Sequence, residues 1–150
     1  MAGHRSRGAV FTLMLLAAVL TTAVTAGGNG DPPSRGLVDI TVREAFALIQ
    51  GHRDDPAFVI LDVRTPAEFA AGHIEGAINL DYYDAGFRAR LEGMDRGKLH
   101  LVYCRSGVLS AGTLEIMREL GFQNACNMLG GFNQWLAEGL PVSVEQSLPE

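Results

Sequence analysis

The run Phe58-Val59-Ile60-Leu61-Asp62-Val63 constrains the fold more than any other stretch of this 150-residue chain. Its apolar residues are nearly continuous rather than alternating, which suits a central strand covered on both faces, and burial on both faces belongs to parallel sheets. Parallel strands need long crossover connections, usually helices, and the flanking sequence supplies them. Leu37–Ile40 reads as a short strand. Thr41-Val42-Arg43-Glu44 then forms a capping box that opens a helix to Gln50, with Gly51 ending it. Asp54-Asp55-Pro56 is a turn into the central run. Thr65-Pro66-Ala67-Glu68 repeats the helix-start signal, with proline where its missing N–H costs nothing, and Gly72 stops that helix. Ala77–Leu80 reads as a strand, Tyr83–Leu91 as a helix and Gly93–Lys98 as a turn. Leu99–Tyr103 is a strand, followed by a helix that begins near Leu109 and ends at Gly121. Ala125–Met128 is a last strand, Gly130-Gly131 a turn, and Phe132–Glu138 a closing helix before Gly139 and Pro141. Strands alternating with helices predict an α/β fold, a parallel sheet with helices on both faces. Phe58, Ile60, Ile78, Leu101, Phe132 and Trp135 are the expected core.

The first residues are of another kind. Arg5 and Arg7 precede an uncharged stretch, Gly8–Ala26, closed by the small residues Val24-Thr25-Ala26. This is the pattern of a secretory signal spanning residues 1–26, with the mature chain starting near Gly27. An uncleaved membrane anchor is the alternative, because the uncharged stretch approaches the roughly 20 residues a span needs. The apolar centre Phe11–Leu20 is shorter than that, which favours cleavage, no stable membrane insertion afterwards, and a periplasmic or extracellular location. Residues 27–36, rich in glycine and proline, read as a linker; 37–144 as one domain; 145–150 as a tail. The whole chain carries a net charge of −5 from 12 basic and 17 acidic residues, and losing Arg5 and Arg7 takes it to −7. With no basic run and no aromatic residues interleaved with basic ones, nucleic acid is not the expected partner. His52 and His100 lack the spacing of metal ligands, and no metal or other cofactor is expected.

The candidate chemistry lies at Cys104. It follows the strand Leu99–Tyr103 directly and precedes a helix, and open α/β sheets place their ligand sites at such strand ends. Backbone N–H groups and the positive end of the helix dipole stabilise a thiolate there, and an anion beside it. Gly107 lets the loop amides turn inward. Arg105 adds a positive charge with a fork geometry suited to oxyanions. Ser106 and Ser110 carry hydroxyls that can donate, and Ser110 fits equally well as the helix N-cap. Val108 and Leu109 complete the loop. Asp62 and Arg64 sit at the end of the central strand on the same edge. One reading makes them supports of the pocket; the other, which is favoured because charges near buried positions are usually paired, has Arg64 pair with Glu68 or Asp62 and tie the next helix down. His73 reads as turn packing.

Three stretches, LDVRTPAEFAAGHIEGAINL at Leu61–Leu80, VYCRSGVLS at Val102–Ser110 and GGFNQWLAEGLPV at Gly130–Val142, resemble the signatures of the rhodanese-like family, in its order and spacing. The resemblance covers nearly all of Leu37–Val144. It implies a five-stranded parallel sheet and a single-domain sulfurtransferase in which Cys104 is the nucleophile. Such an enzyme takes a sulfane sulfur from a small anionic donor such as thiosulfate and holds it as a persulfide. It then passes the sulfur to cyanide, a thiol, or a redox or sulfur-acceptor protein. Residues 105–110 would form the substrate cradle. Leu109 departs from the family, which often has arginine or threonine there, and an apolar residue at that position removes a contact to an anionic donor.

Two other classes compete. A non-catalytic rhodanese-like binding module usually lacks the cysteine, which this chain keeps. Related phosphatases and arsenate reductases use a cysteine followed by five residues and then an arginine, a position held here by Ser110. The shorter loop without that guanidinium argues against them. The second cysteine, Cys126, falls early in the last strand while Cys104 lies past the end of its neighbour. That separation exceeds the roughly 7 Å limit for a disulfide, so Cys126 is expected to be a buried free thiol.

Overall fold

The computed structural model describes residues 36–144. The expected signal segment, all but the last residue of the linker, and the tail lie outside the described residues. Ten elements alternate: β1 Leu37–Ile40, α1 Val42–Gly51, β2 Phe58–Asp62, α2 Pro66–Ala71, β3 Ala77–Asn79, α3 Phe87–Glu92, β4 Leu99–Tyr103, α4 Val108–Glu119, β5 Asn124–Met128 and α5 Gly131–Ala137. The five strands form one sheet in the order β1-β5-β4-β2-β3. Every pairing is parallel, so all the strands end at one edge. Among the described residues no helix is long and apolar enough to cross a membrane.

The pleat sorts the buried side chains into two layers. Ile60, Leu101, Tyr103, Cys126 and Met128 face α1 and α5, packing with Val42, Ala45, Leu48, Phe132 and Trp135. Leu61, Val102 and Ala125 face the other way, against Phe87 and Leu91 of α3 and Leu114 and Met117 of α4. Continuous apolar strands follow directly, because each face meets a helix layer. Thr41 and Thr65 both complete their capping boxes, each accepting from the N3 amide while Glu44 or Glu68 accepts from the cap.

Three expectations are corrected. Ile78 is 51% exposed, because it lies on the edge strand β3, beyond the cover of the helices. Helix α3 starts at Phe87 rather than Tyr83. The Asp81 carboxylate accepts from the Tyr83 amide and that of Asp84 from the Gly86 amide, local turns that compete with the helix. Ser110 is not a helix cap: α4 begins at Val108 with Gly107 as its N-cap, which puts Ser110 inside the first turn.

Candidate active site

Strand β4 ends at Tyr103, and Cys104 leads into a loop that closes at Gly107. Gly107 has φ +95°, in the left-handed region, and a Cβ there would meet Gly130 N at 3.2 Å and Met128 O at 3.3 Å. Only glycine meets both demands. The turn aims its amides back at the thiol: Gly107 N donates to Cys104 Sγ at 3.1 Å, and Ser110 Oγ donates to it at 3.4 Å. Burial pushes the Cys104 thiol up. The Ser110 hydroxyl and the amides of Ser110, Ser106 and Gly107 outweigh that and hold it below the ordinary cysteine value. Cys104 is only 1% exposed, so the sulfur lies within the loop and not on the protein's outer surface.

The Gly130-Gly131 pair, which the sequence marks only as a turn, is the platform of this loop. Phe132 N donates to Cys104 O at 2.8 Å and Asn133 N to Arg105 O at 3.0 Å, so the start of α5 holds the loop from behind. A Cβ on Gly131 (φ +58°) would stand 2.5 Å from Cys104 O and 2.6 Å from Arg105 C and O. The close approach of two backbones, which no local pattern announces, requires that glycine.

The other expected residues fall in three groups. Ser106 lines the loop with its backbone and is exposed. Val108 opens α4 and is also exposed, while Leu109 is half-buried against the apolar layer that includes Cys104. Arg105 turns away to Glu68: its Nε and Nη2 donate to Glu68 Oε1 at 2.8 and 2.7 Å. Glu68 Oε2 at the same time accepts from the amide and hydroxyl of Thr65. Burial works to raise the Glu68 pKa, but the bonds from Arg105 and Thr65 prevail and hold it below the usual carboxylate range. This pairing joins residues 37 apart, and no local pattern announces it: in the sequence Glu68 shows only as a cap and as an alternative partner of Arg64.

Asp62 and Arg64 form a fully internal pair. Asp62 accepts from Arg64 N, Nε and Nη2, the last at 2.6 Å, and Nη2 also donates to Gly72 O at 2.7 Å. The guanidinium lies over the Phe132 ring, 4.0 Å from its centroid. The pair therefore joins the end of β2, the end of α2 and the start of α5 beneath the loop. His73 packs as a turn residue, stacked on Phe69. A cavity of about 300 Å3, lined by Phe46, Ile60, Ile74 and Trp135 among others, lies on the α1–α5 face and includes no residue of the Cys104 loop. Among the described residues no cluster of histidine, cysteine, aspartate and glutamate could hold a metal.

Both cysteines are free and buried. Cys126 pairs in register with Leu101, three residues before Cys104, and faces the opposite layer. Burial alone pushes its thiol up to about 11.

The model of the rhodanese-like domain family matches residues 34–138. The chain is 32% identical over 114 residues to thiosulfate sulfurtransferase 16, chloroplastic, of Arabidopsis thaliana, a match covering 69% of this chain and 89% of that protein. It is also 32% identical over 99 residues to a sulfurtransferase of Allochromatium vinosum, covering 66% of this chain and 91% of that one. Among solved structures it is similar to a rhodanese-related protein from Thermoplasma volcanium, with a TM-score of 0.62, 31% identity, and coverage of 71% of this chain and 98% of that one.

Proposed function

The chain belongs to the rhodanese-like domain family, and from that premise we propose that it is a sulfurtransferase whose sulfur carrier is Cys104. The observation that supports this reading is the ring of donors on Sγ, made by Gly107 N and Ser110 Oγ and strengthened by the amides of Ser106 and Ser110. Those donors stabilise the attacking thiolate, and afterwards the terminal sulfur of a persulfide, which carries the same charge one atom further out. With thiosulfate, the Cys104 thiolate attacks the outer sulfur. The Sγ–S bond forms as the S–S bond to the sulfonate breaks, and sulfite leaves with the electron pair. Cyanide or a thiolate then attacks that outer sulfur, takes it, and returns Cys104 as thiolate. Neither half requires a metal or a redox cofactor.

The position that an arginine takes in the cysteine phosphatases belongs here to Ser110, whose hydroxyl is directed at the sulfur. A phosphoryl group, with three equatorial oxygens, needs more donors than this loop offers. The leader-like segment 1–26 supports action outside the cytoplasm, in a periplasmic or extracellular compartment. There a small sulfane donor, and a thiol or a sulfur-accepting redox protein, would be its substrates.

Intact-mass measurement after exposure to a sulfane donor tests the reading. One added sulfur on the native protein, absent from Cys104→Ser, is expected. Thiocyanate formation from thiosulfate and cyanide should accompany it, with no hydrolysis of p-nitrophenyl phosphate. Failure of every sulfane donor to load Cys104 would leave the binding-module reading.

A further inference from the structure

The loop Cys104–Ser110 contains one cation, Arg105, and that cation is committed elsewhere. Glu68 Oε1 takes both its Nε and Nη2, while Glu68 Oε2 is fixed by Thr65 at the start of α2, so the carboxylate is anchored at one end and grips the guanidinium with the other. The second arginine near the site, Arg64, is consumed by Asp62. Leu109 places an apolar side chain in the loop. Two further apolar residues stand in the open here: Val108 of the loop itself, 71% exposed, and Leu129, 45% exposed, whose Cα would lie 3.7 Å from a Cβ on Gly107. Among the described residues the loop and its borders thus offer exposed apolar side chains and an arginine paired with the Glu68 carboxylate, with the second nearby arginine, Arg64, held by Asp62.

Resting on the sulfurtransferase reading, we infer that Glu68 is a specificity-determining positioning residue, which withdraws Arg105 from the cradle and selects donors whose sulfane sulfur is carried on an uncharged, apolar-flanked organic persulfide over small dianions. The loop amides and Ser110 suffice for such a donor, because the only charge they must hold is on sulfur. The Cys104 thiolate attacks the terminal sulfur of R–S–SH. The Sγ–S bond forms as the inner S–S bond breaks, and the electron pair leaves on R–S⁻. The terminal proton passes to that thiolate, giving Cys104–S–S⁻ and R–SH with no net oxidation. A dianion entering the same loop finds Arg105 already paired with the Glu68 carboxylate, and gains nothing from Val108 and Leu129.

A matched set of donors tests this on the full-length protein: the persulfide of N-acetylcysteine methyl ester, that of N-acetylcysteine with its free carboxylate, and thiosulfate. Persulfide loading of Cys104 is read by mass. The native protein should load fastest from the ester, with kcat/KM higher than for either anion by roughly tenfold, the effect of about one charge-assisted hydrogen bond. In Glu68→Gln, which keeps an oxygen for the Thr65 cap but loses the charge, the thiosulfate-to-ester ratio should rise about tenfold, chiefly through KM. Adding Arg105→Gln to that variant should return the ratio to its native value. The same persulfide of a cysteine within an uncharged peptide separates a protein-borne donor from a free one: loading faster than from the ester marks the former. Equal loading from all small donors by the native protein overturns the inference, as does a ratio that Glu68→Gln leaves unmoved. Both results leave the sulfurtransferase reading intact. Loading from none of the donors overturns that reading, and this inference with it.

Discussion

Cys126 lies within β5 and Cys104 just past the end of β4, three residues beyond Leu101, the register partner of Cys126, and each is a free thiol only 1% exposed. By burial alone they are indistinguishable. Their surroundings are opposite. Cys126 is inside a strand whose amides serve the sheet ladder, and nothing offsets its desolvation, so its thiol is pushed up to about 11. Cys104 lies just past the strand end, where Gly107 N and the first turn of α4 have no ladder to serve and converge on sulfur. Donor supply, and not exposure, separates a structural cysteine from a reactive one here. The strand end is what makes donors available, since a helix start leaves its first amides without partners inside the helix.

The largest expected effect breaks the comparison outright. Cys104→Ser should abolish sulfur transfer while the fold persists by circular dichroism, whereas Cys126→Ala should retain transfer and lose only stability. Next comes Gly131→Ala, which disturbs one cysteine and spares the other. Its Cβ would collide with the carbonyls of Cys104 and Arg105, and displacing the loop by about 1 Å is enough to cost roughly a hundredfold in kcat/KM. Cys126 should stay as inert as before.

Asp62→Ala works on both cysteines at once. It strands the buried Arg64 charge and should cost about 3–5 kcal/mol in denaturant unfolding. The raised unfolded fraction would then bring Cys126 within reach of alkylating reagents. The smallest effect sharpens the contrast at a single atom. Ser110→Ala removes one hydroxyl bond to Sγ, of about 1 kcal/mol, and should slow transfer about fivefold near neutral pH. Because the loss raises the Cys104 pKa, that deficit should narrow as pH rises and both variants become thiolate. A deficit constant across pH would mean that Ser110 acts on geometry alone.

Much of this contrast is legible in the sequence, for reasons that differ by residue. The apolar run of β2, the two capping boxes and the placement of Cys104 between a strand and a helix are local patterns, so periodicity and cap residues suffice. Three features are not local. Glu68 reaches Arg105 across 37 positions, Gly131 is required by a backbone from another element, and Ile78 is exposed because β3 is an edge strand. Each depends on how elements are ordered in the sheet, which no window of sequence contains. Ser110 shows a subtler failure. Serine before a helix suggests a cap, but Gly107, with its left-handed backbone, starts the helix earlier and releases the hydroxyl to the sulfur.

The pH dependence of iodoacetamide labelling, followed separately on each cysteine of the native protein by peptide mapping, tests the central contrast most directly. Cys104 should be alkylated with an inflection below the roughly 8.5 of a free thiol, and Cys126 should remain unlabelled until the protein is unfolded. Labelling of both cysteines at one rate, with one inflection, would contradict the view that the loop donors set their difference.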